Sequence, residues 1–338
     1  MEDFVVEALL SGDGEAQMQG AIELSKLNSK QRHKLADRGV IPPLVSMLHS
    51  QDFGATEASL FALLALAFGS ERNKMLIVKC GAVPAMLNLL RGQSLVELTA
   101  TAMLILSSCG ANKLPIASSG AIETLIAIIS GEIAANPPQI AVSPQTKLDA
   151  VSTLLNLSTS RRIAPLIVAS GGVPSLLDLI VAPGSSSSPE AAEKAMAVLE
   201  NAVASSGHAV REVACRDGAI RALVEAVEEG SPECREHAVA ILLAMVRSCR
   251  EEHREAILRE GAVPGLLELS VGGTWRAKEM AQHLLLLLRD CAADYGGRAR
   301  HQKKKKHELV EQLMEEIDAE GASLRLVEEM VAKLKHDR

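Results

Sequence analysis

The chain has 338 residues and is 48% hydrophobic, yet only six residues (one Trp, one Tyr and four Phe) are aromatic. Leu, Ala, Val and Ile therefore carry the apolar content, which favours packed helices and argues against a β-sandwich. Thirty-five Lys+Arg against forty-two Asp+Glu leaves a net charge of −7, which argues against a nucleic-acid binder along the whole chain.

The N-terminus, MEDFVVEALLSGDGE, has no basic region and no long apolar stretch, so a secretory signal is not expected there. Phe4 to Leu10 and Glu15 to Leu27 read as two helices of a half repeat spanning Asp3 to Asn28. After them one phrase recurs six times, opening at Gly39, Gly81, Gly120, Gly172, Gly218 and Gly261. The intervals are 42, 39, 52, 46 and 43 residues, in or near the range of helical solenoid repeats.

Each phrase carries the same physics. A short polar helix, such as Ser29 to Arg38 or Glu251 to Glu260, runs into the Gly, which can end it in the left-handed conformation without a Cβ penalty. Pro42, Pro84, Pro174 and Pro264 then suit the first turn of a second helix, where a missing N–H costs nothing. That helix spaces its apolar residues for one face, as in Leu44, Val45, Met47 and Leu48. A polar turn leads to a longer apolar third helix, for example Ala58 to Phe68 or Lys147 to Ser158. One such unit cannot bury its apolar surface alone, whereas stacked units can. The expected fold is all-α: a right-handed α-solenoid of about six repeats with an N-terminal half repeat. Two insertions, Gly131 to Gln145 and Ala182 to Glu190, are rich in Pro, Ser or Gly and read as exposed loops.

The character changes after Cys291, so the expected division is a solenoid at 1–291, a basic polar linker at 292–306 and an amphipathic helix at 307–338. Lys303, Lys304, Lys305 and Lys306 form a basic run, read either as a nuclear-import or anionic-surface contact or as a solvated linker. Val310, Leu313, Ile317, Leu324, Val327, Val331 and Leu334 lie on a heptad seam. The seam suits a coiled coil, by self-association or with a partner helix, or a cap folded on the last repeat.

The six cysteines are scattered singly without metal spacing and read as buried reduced thiols. His33, His49, His208, His237 and His253 read as solvated, while His283 falls on a third-helix stripe. No phosphate loop, nucleophile elbow or HExxH pair occurs, and no metal, cofactor or enzymatic activity is expected. The longest apolar run near the C-terminus, Leu284 to Leu288, is far shorter than the roughly 20 residues of a membrane span. A cytoplasmic or nuclear protein is the expectation.

The phrases resemble armadillo repeats, above all those of plant armadillo proteins that often carry a U-box. GAVPGLLELSVGGTWRAKEMAQHLLLLLRD, from Gly261, is similar to that group's closing repeat, and LADRGVIPPLVSMLHSQD, from Leu35, to an opening one. No segment resembles the U-box, so ligase activity is not carried over to this chain. The resemblance implies that the third helices line an inner groove, where an Asn holds the backbone of a peptide and a Trp four residues earlier shapes side-chain pockets. The corresponding positions are Ala65, Ile105, Asn156, Asn201, Ala244 and Leu287, and four residues earlier Phe61, Thr101, Ser152, Ala197, Ala240 and His283. Only Asn156 and Asn201 match the family residue, and no Trp does. Such a groove suits an amphipathic helix or an aliphatic peptide better than a basic one. Alternatively, Asn156 and Asn201 bond neighbouring loop backbones.

The functional expectation is a non-enzymatic scaffold that binds a protein partner in its groove and a second helix through its tail, with no nucleic acid. Two alternatives stand beside it: a substrate-recruiting component of the ubiquitin pathway, and a nuclear-import adaptor.

Overall fold

The computed structural model describes residues 1–92, 94–132, 142–181 and 188–289. The expected boundaries at 291 and 306, the Lys303–Lys306 run and the heptad seam lie outside these residues. Among the described residues every regular element is helical. The chain divides into two compact units, Met1–Asn201 and Ala202–Arg338.

The first unit opens with α1 (Glu2–Leu10) and α2 (Gly14–Lys26) and continues in triplets. These are α3 (Ser29–Asp37), α4 (Ile41–Met47) and α5 (Phe53–Ala67), then α6 (Glu71–Lys79), α7 (Ala82–Arg91) and α8 (Val96–Ser107). A 3-10 turn (Gly110–Asn112) and α9 (Lys113–Ala117) precede α10 (Ala121–Ser130) and α11 (Pro144–Ser158). The fourth triplet is α12 (Ala164–Ala169), α13 (Gly172–Val181) and α14 (Pro189–Ser205), and the division between units falls within α14. Third helices pack on third helices, α2 on α5, α5 on α8 and α8 on α11, while α7, α10 and α13 stack as a second layer. One continuous core from Val5 to Val198 lies between the layers.

The second unit holds two triplets: α15 (Gly207–Cys215), α16 (Ala219–Glu229) and α17 (Pro232–Ser248), then α18 (Arg250–Arg259), α19 (Val263–Gly272) and α20 (Trp275–Leu288). α17 packs on α20 and α16 on α19, which repeats the layering of the first unit.

The third helices begin earlier than their apolar runs suggest. α5 starts at Phe53 because Asp52 Oδ1 accepts from Gly54 N at 2.8 Å, and α11 starts at Pro144 behind the Ser143 cap. These caps were readable as sequence signals, but the apolar run is the stronger pattern and draws the boundary inward.

The repeat glycine has φ between +77° and +88° at Gly39, Gly81, Gly120, Gly218 and Gly261. In the fourth repeat the left-handed residue is Gly171 (φ +75°), not Gly172, so the intervals around it are 51 and 47 residues. Gly172 instead holds the place of Val40, Ala82, Ala121, Ala219 and Ala262, all at most 2% exposed.

Two buried asparagines tie successive repeats together. Asn73 donates from Nδ2 to the Leu66 carbonyl at 2.9 Å, and Asn112 donates to Leu106 O at 3.1 Å and Lys74 O at 3.0 Å. Each follows a third helix, so its amide reaches a carbonyl of the last turn, which no helical N–H can satisfy.

The structure corrects two expectations about buried groups. None of the five described cysteines is in a disulfide, but only Cys109 is buried, while Cys80, Cys215 and Cys249 are exposed. A thiol is small and weakly polar, so nothing forces it into the core. His253, expected in solvent, is 3% exposed on the inward face of α18. Among the described residues no single helix is long and apolar enough to cross a membrane.

Candidate functional site

Within each unit the third helices present a stripe of equivalent positions. In register, Ala65, Ile105, Asn156, Asn201, Ala244 and Leu287 are all half-buried, whereas residues on either side of them are often buried outright. The periodicity explains this: positions three, four and seven residues apart share one helix face, so a stripe that faces solvent once does so along its length.

Four residues before those positions the surroundings differ by repeat. Phe61 is 49% exposed, Thr101, Ser152 and Ala240 are half-buried, and His283 is exposed. Ala197, by contrast, is buried. Thr101 Oγ1 donates to Asp149 Oδ2 at 2.6 Å, and Gln145 Nε2 donates to Asp149 Oδ1 at 2.9 Å. This ties α8 to α11 beside the stripe.

The two asparagines make one arrangement twice within the first unit. Asn156 Nδ2 donates to Ser107 Oγ at 3.0 Å, and Ser107 Oγ donates to Leu104 O at 2.8 Å. One repeat later Asn201 Nδ2 donates to Ser158 Oγ at 2.9 Å, and Ser158 Oγ donates to Leu155 O at 2.9 Å. Each amide therefore holds the end of the preceding third helix through a serine hydroxyl, and Asn156 Nδ2 also reaches the helical carbonyl of Leu104 at 3.5 Å. Neither Oδ1 accepts a bond from the described residues, so each side chain keeps an acceptor unused by them. The serine partners were not singled out from sequence, because residues 49 and 43 positions apart share no local pattern.

In the second unit His283 on α20 meets Arg247 on α17, with Arg247 Nη2 at 2.8 Å from His283 Nδ1. Guanidinium only donates, so Nδ1 accepts and the proton of a neutral ring sits on Nε2. Glu236 on α17 accepts from Thr274 Oγ1 and Arg276 Nη1, both at 2.6 Å. Burial pushes its carboxyl up, but the hydrogen bonds from Thr274 and Arg276, with the Arg276 and His237 charges, outweigh that and hold it below the ordinary carboxylate range.

A depressed folded value contributes stability above the unfolded value that is lost as pH falls through the folded one. Glu236→Gln should therefore lower stability by about 0.5–1 kcal/mol at neutral pH. The deficit should shrink as pH drops below 4.5, the ordinary value for this group. Urea midpoints of both proteins at pH 7 and pH 4 would test this, and a constant gap would contradict it.

Among the described residues no group of three His, Cys, Asp or Glu side chains is placed to hold a metal ion. What the stripe offers is surface: half-buried apolar positions, two amides with a free acceptor, and exposed aromatics on α5.

The crystal structure of an engineered protein shares the fold, with TM-score 0.73 and 20% identity over 98% of this chain and 77% of the other. A designed armadillo repeat protein matches with TM-score 0.43 and 18% identity, over 84% of this chain and 98% of the other. No curated protein matches the chain. The family model of the plant U-box protein ARM repeat region matches residues 111–308, more than half of the sequence. With triplets of helices, a left-handed glycine before each described second helix from α4 onward and layered third helices, the chain is an armadillo-repeat solenoid and belongs to that family.

Proposed function

We propose that the protein is a non-enzymatic scaffold whose third-helix stripe binds a peptide or helix of a protein partner. The observation that carries this reading is the unbroken accessibility of the register positions from Ala65 to Asn201 on the third helices α5, α8, α11 and α14, each followed by a buried residue. Asn156 and Asn201 supply the polar step: one N–H of each is engaged by a serine, and the amide oxygen stays available for a ligand N–H. The tail is read as a second interaction segment, and the cytoplasm or nucleus as the place of action.

Comparing two double variants tests the reading. Asn156→Ala with Asn201→Ala removes both the internal bond and the ligand contact, while Ser107→Ala with Ser158→Ala removes only the internal bond. Each pair should lower stability by a similar amount, about 1–2 kcal/mol in all. Binding of peptides selected by display on the full chain should fall about tenfold in the asparagine pair and stay within twofold in the serine pair. Equal losses of binding would assign the asparagines a structural role and remove them from the site.

The family match favours a second reading, a substrate-recruiting module of the ubiquitin pathway. A ubiquitin-transfer assay of the full chain, alone and with a separate ligase, tests it. The nuclear-import alternative has less support, because only two of the six backbone-holding positions carry Asn.

A further inference from the structure

All four phenylalanines of the chain are exposed, and three of them stand on one helix. Phe53 (58% exposed), Phe61 (49%) and Phe68 (70%) are separated by 8 and 7 residues along α5 and its C-terminal cap. At 100° per residue these offsets place the three within about 80° of arc, and at 1.5 Å per residue the row is about 22 Å long. Leu64 and Ala65 are half-buried on the same face, and Ile105 holds the matching place on α8.

The ionic residues beside the Phe53 end of this row are acidic, and the one cation on α2, Lys26, is paired with Glu23 at 2.9 Å. Eight residues before the register position stand Glu57 on α5 and Glu97 on α8, and α2 in the same register carries Glu15. Glu15 and Glu97 are exposed and Glu57 is half-buried; none of the three forms an ion pair with a described residue. Residues 51–70 and 94–112 contain no Lys or Arg. In the second unit the corresponding Glu236 is already matched by Arg276, whereas Glu15, Glu57 and Glu97 have no such match among the described residues.

From this we infer that α5 and α8 form a docking surface for a cationic amphipathic helix, about four turns long, lying along α5. An extended segment crossing the third helices would cover one position per helix and only Phe61 of the aromatic row. A ligand covering all three phenylalanines runs parallel to α5, and a helix does so with apolar residues at positions three and four apart. Its Lys or Arg side chains gather at the end that meets Glu15, Glu57 and Glu97. This inference rests on the proposed use of the third-helix stripe for protein binding.

The test is selection of displayed helical peptides of about 16 residues, with randomised faces, on the full-length protein. Enriched peptides should carry aliphatic or aromatic residues at helical spacing and Lys or Arg clustered toward one end. Phe61→Ala with Phe68→Ala, both surface changes that circular dichroism should show as fully folded, should weaken them at least tenfold. Glu57→Gln with Glu97→Gln should weaken them at least threefold, and less so in high salt. Acidic or proline-rich winners, or helices indifferent to the phenylalanine pair, overturn the inference. If the winners depend instead on Asn156 and Asn201, the scaffold reading stands and this one fails. If nothing is enriched, both fail. Self-association of the full chain that the phenylalanine pair abolishes would seat a second copy there and overturn the cationic partner.

Discussion

Asn112→Asp should destabilise the protein by about 3–5 kcal/mol at neutral pH, although it changes almost no volume. Asn112 is 2% exposed, and its Nδ2 lies 3.0 and 3.1 Å from two carbonyl oxygens. Only the amide nitrogen can face two acceptors, so the orientation of the side chain follows from its neighbours. An aspartate puts an anion against both carbonyls in a site closed to water. The ammonium of Lys74 is already engaged by Glu71 Oε1 at 2.6 Å and Ser108 Oγ at 2.8 Å, and that of Lys113, the next residue, by Thr159 Oγ1 at 2.6 Å. Asn112→Leu removes the donors without adding charge and should cost less, about 2–3 kcal/mol.

The pH dependence separates the two variants. Burial without a donor raises the new carboxyl above its unfolded value, so its penalty is present at high pH and relieved as pH falls through the folded value. The gap between Asn112→Asp and the parent, from chemical denaturation, should narrow between pH 8 and pH 5, while that of Asn112→Leu stays level. A level gap for both would mean the carboxylate finds solvent, and that the site opens locally.

The second large effect concerns Gly172, where helix propensity and packing give opposite signs. In the register set by the left-handed Gly171, four other repeats place Ala at this position, and Ala is the better helix former, so propensity alone anticipates a gain of about 0.5–1 kcal/mol for Gly172→Ala. The structure anticipates a loss. A Cβ on Gly172 would lie 2.7 Å from Ile167 Cγ2 and 2.8 Å from the Ile167 carbonyl oxygen. A side-chain methyl can turn away, but the carbonyl belongs to α12 and cannot move without shifting that helix against α13. Overpacking of this kind costs about 1–3 kcal/mol, which exceeds the propensity gain. Thermal melting of Gly172→Ala beside a control at Gly171, where the constraint is φ and not space, decides between the two. A rise in the Gly172→Ala midpoint would show that the α12–α13 junction relaxes freely.

The limits of the sequence appear in the same residues. The phrase from Gly39 to Gly261 specified helices, turns and their stacking, because each depends on a few adjacent residues: a glycine that turns left, a proline in a first turn, apolar residues at helical spacing. The register of the third helices was equally legible, so Ala65, Ile105, Asn156, Asn201, Ala244 and Leu287 could be named as equivalent before any coordinates, and all six stand half-buried. Membership of the armadillo class follows from that local grammar repeated.

Tertiary structure alone decided what each equivalent position touches. Asn156 and Asn201 meet serines of the preceding third helix; Asn112 reaches back 38 residues to Lys74; Arg276 finds Glu236 across 40. Such pairings depend on how closely one repeat settles on the next, and no periodicity encodes that distance. The choice of Gly171 over Gly172 for the turn, the burial of His253 and the exposure of every phenylalanine have the same origin. A helix pattern says which residues share a face, but only the neighbouring helix determines whether that face is covered.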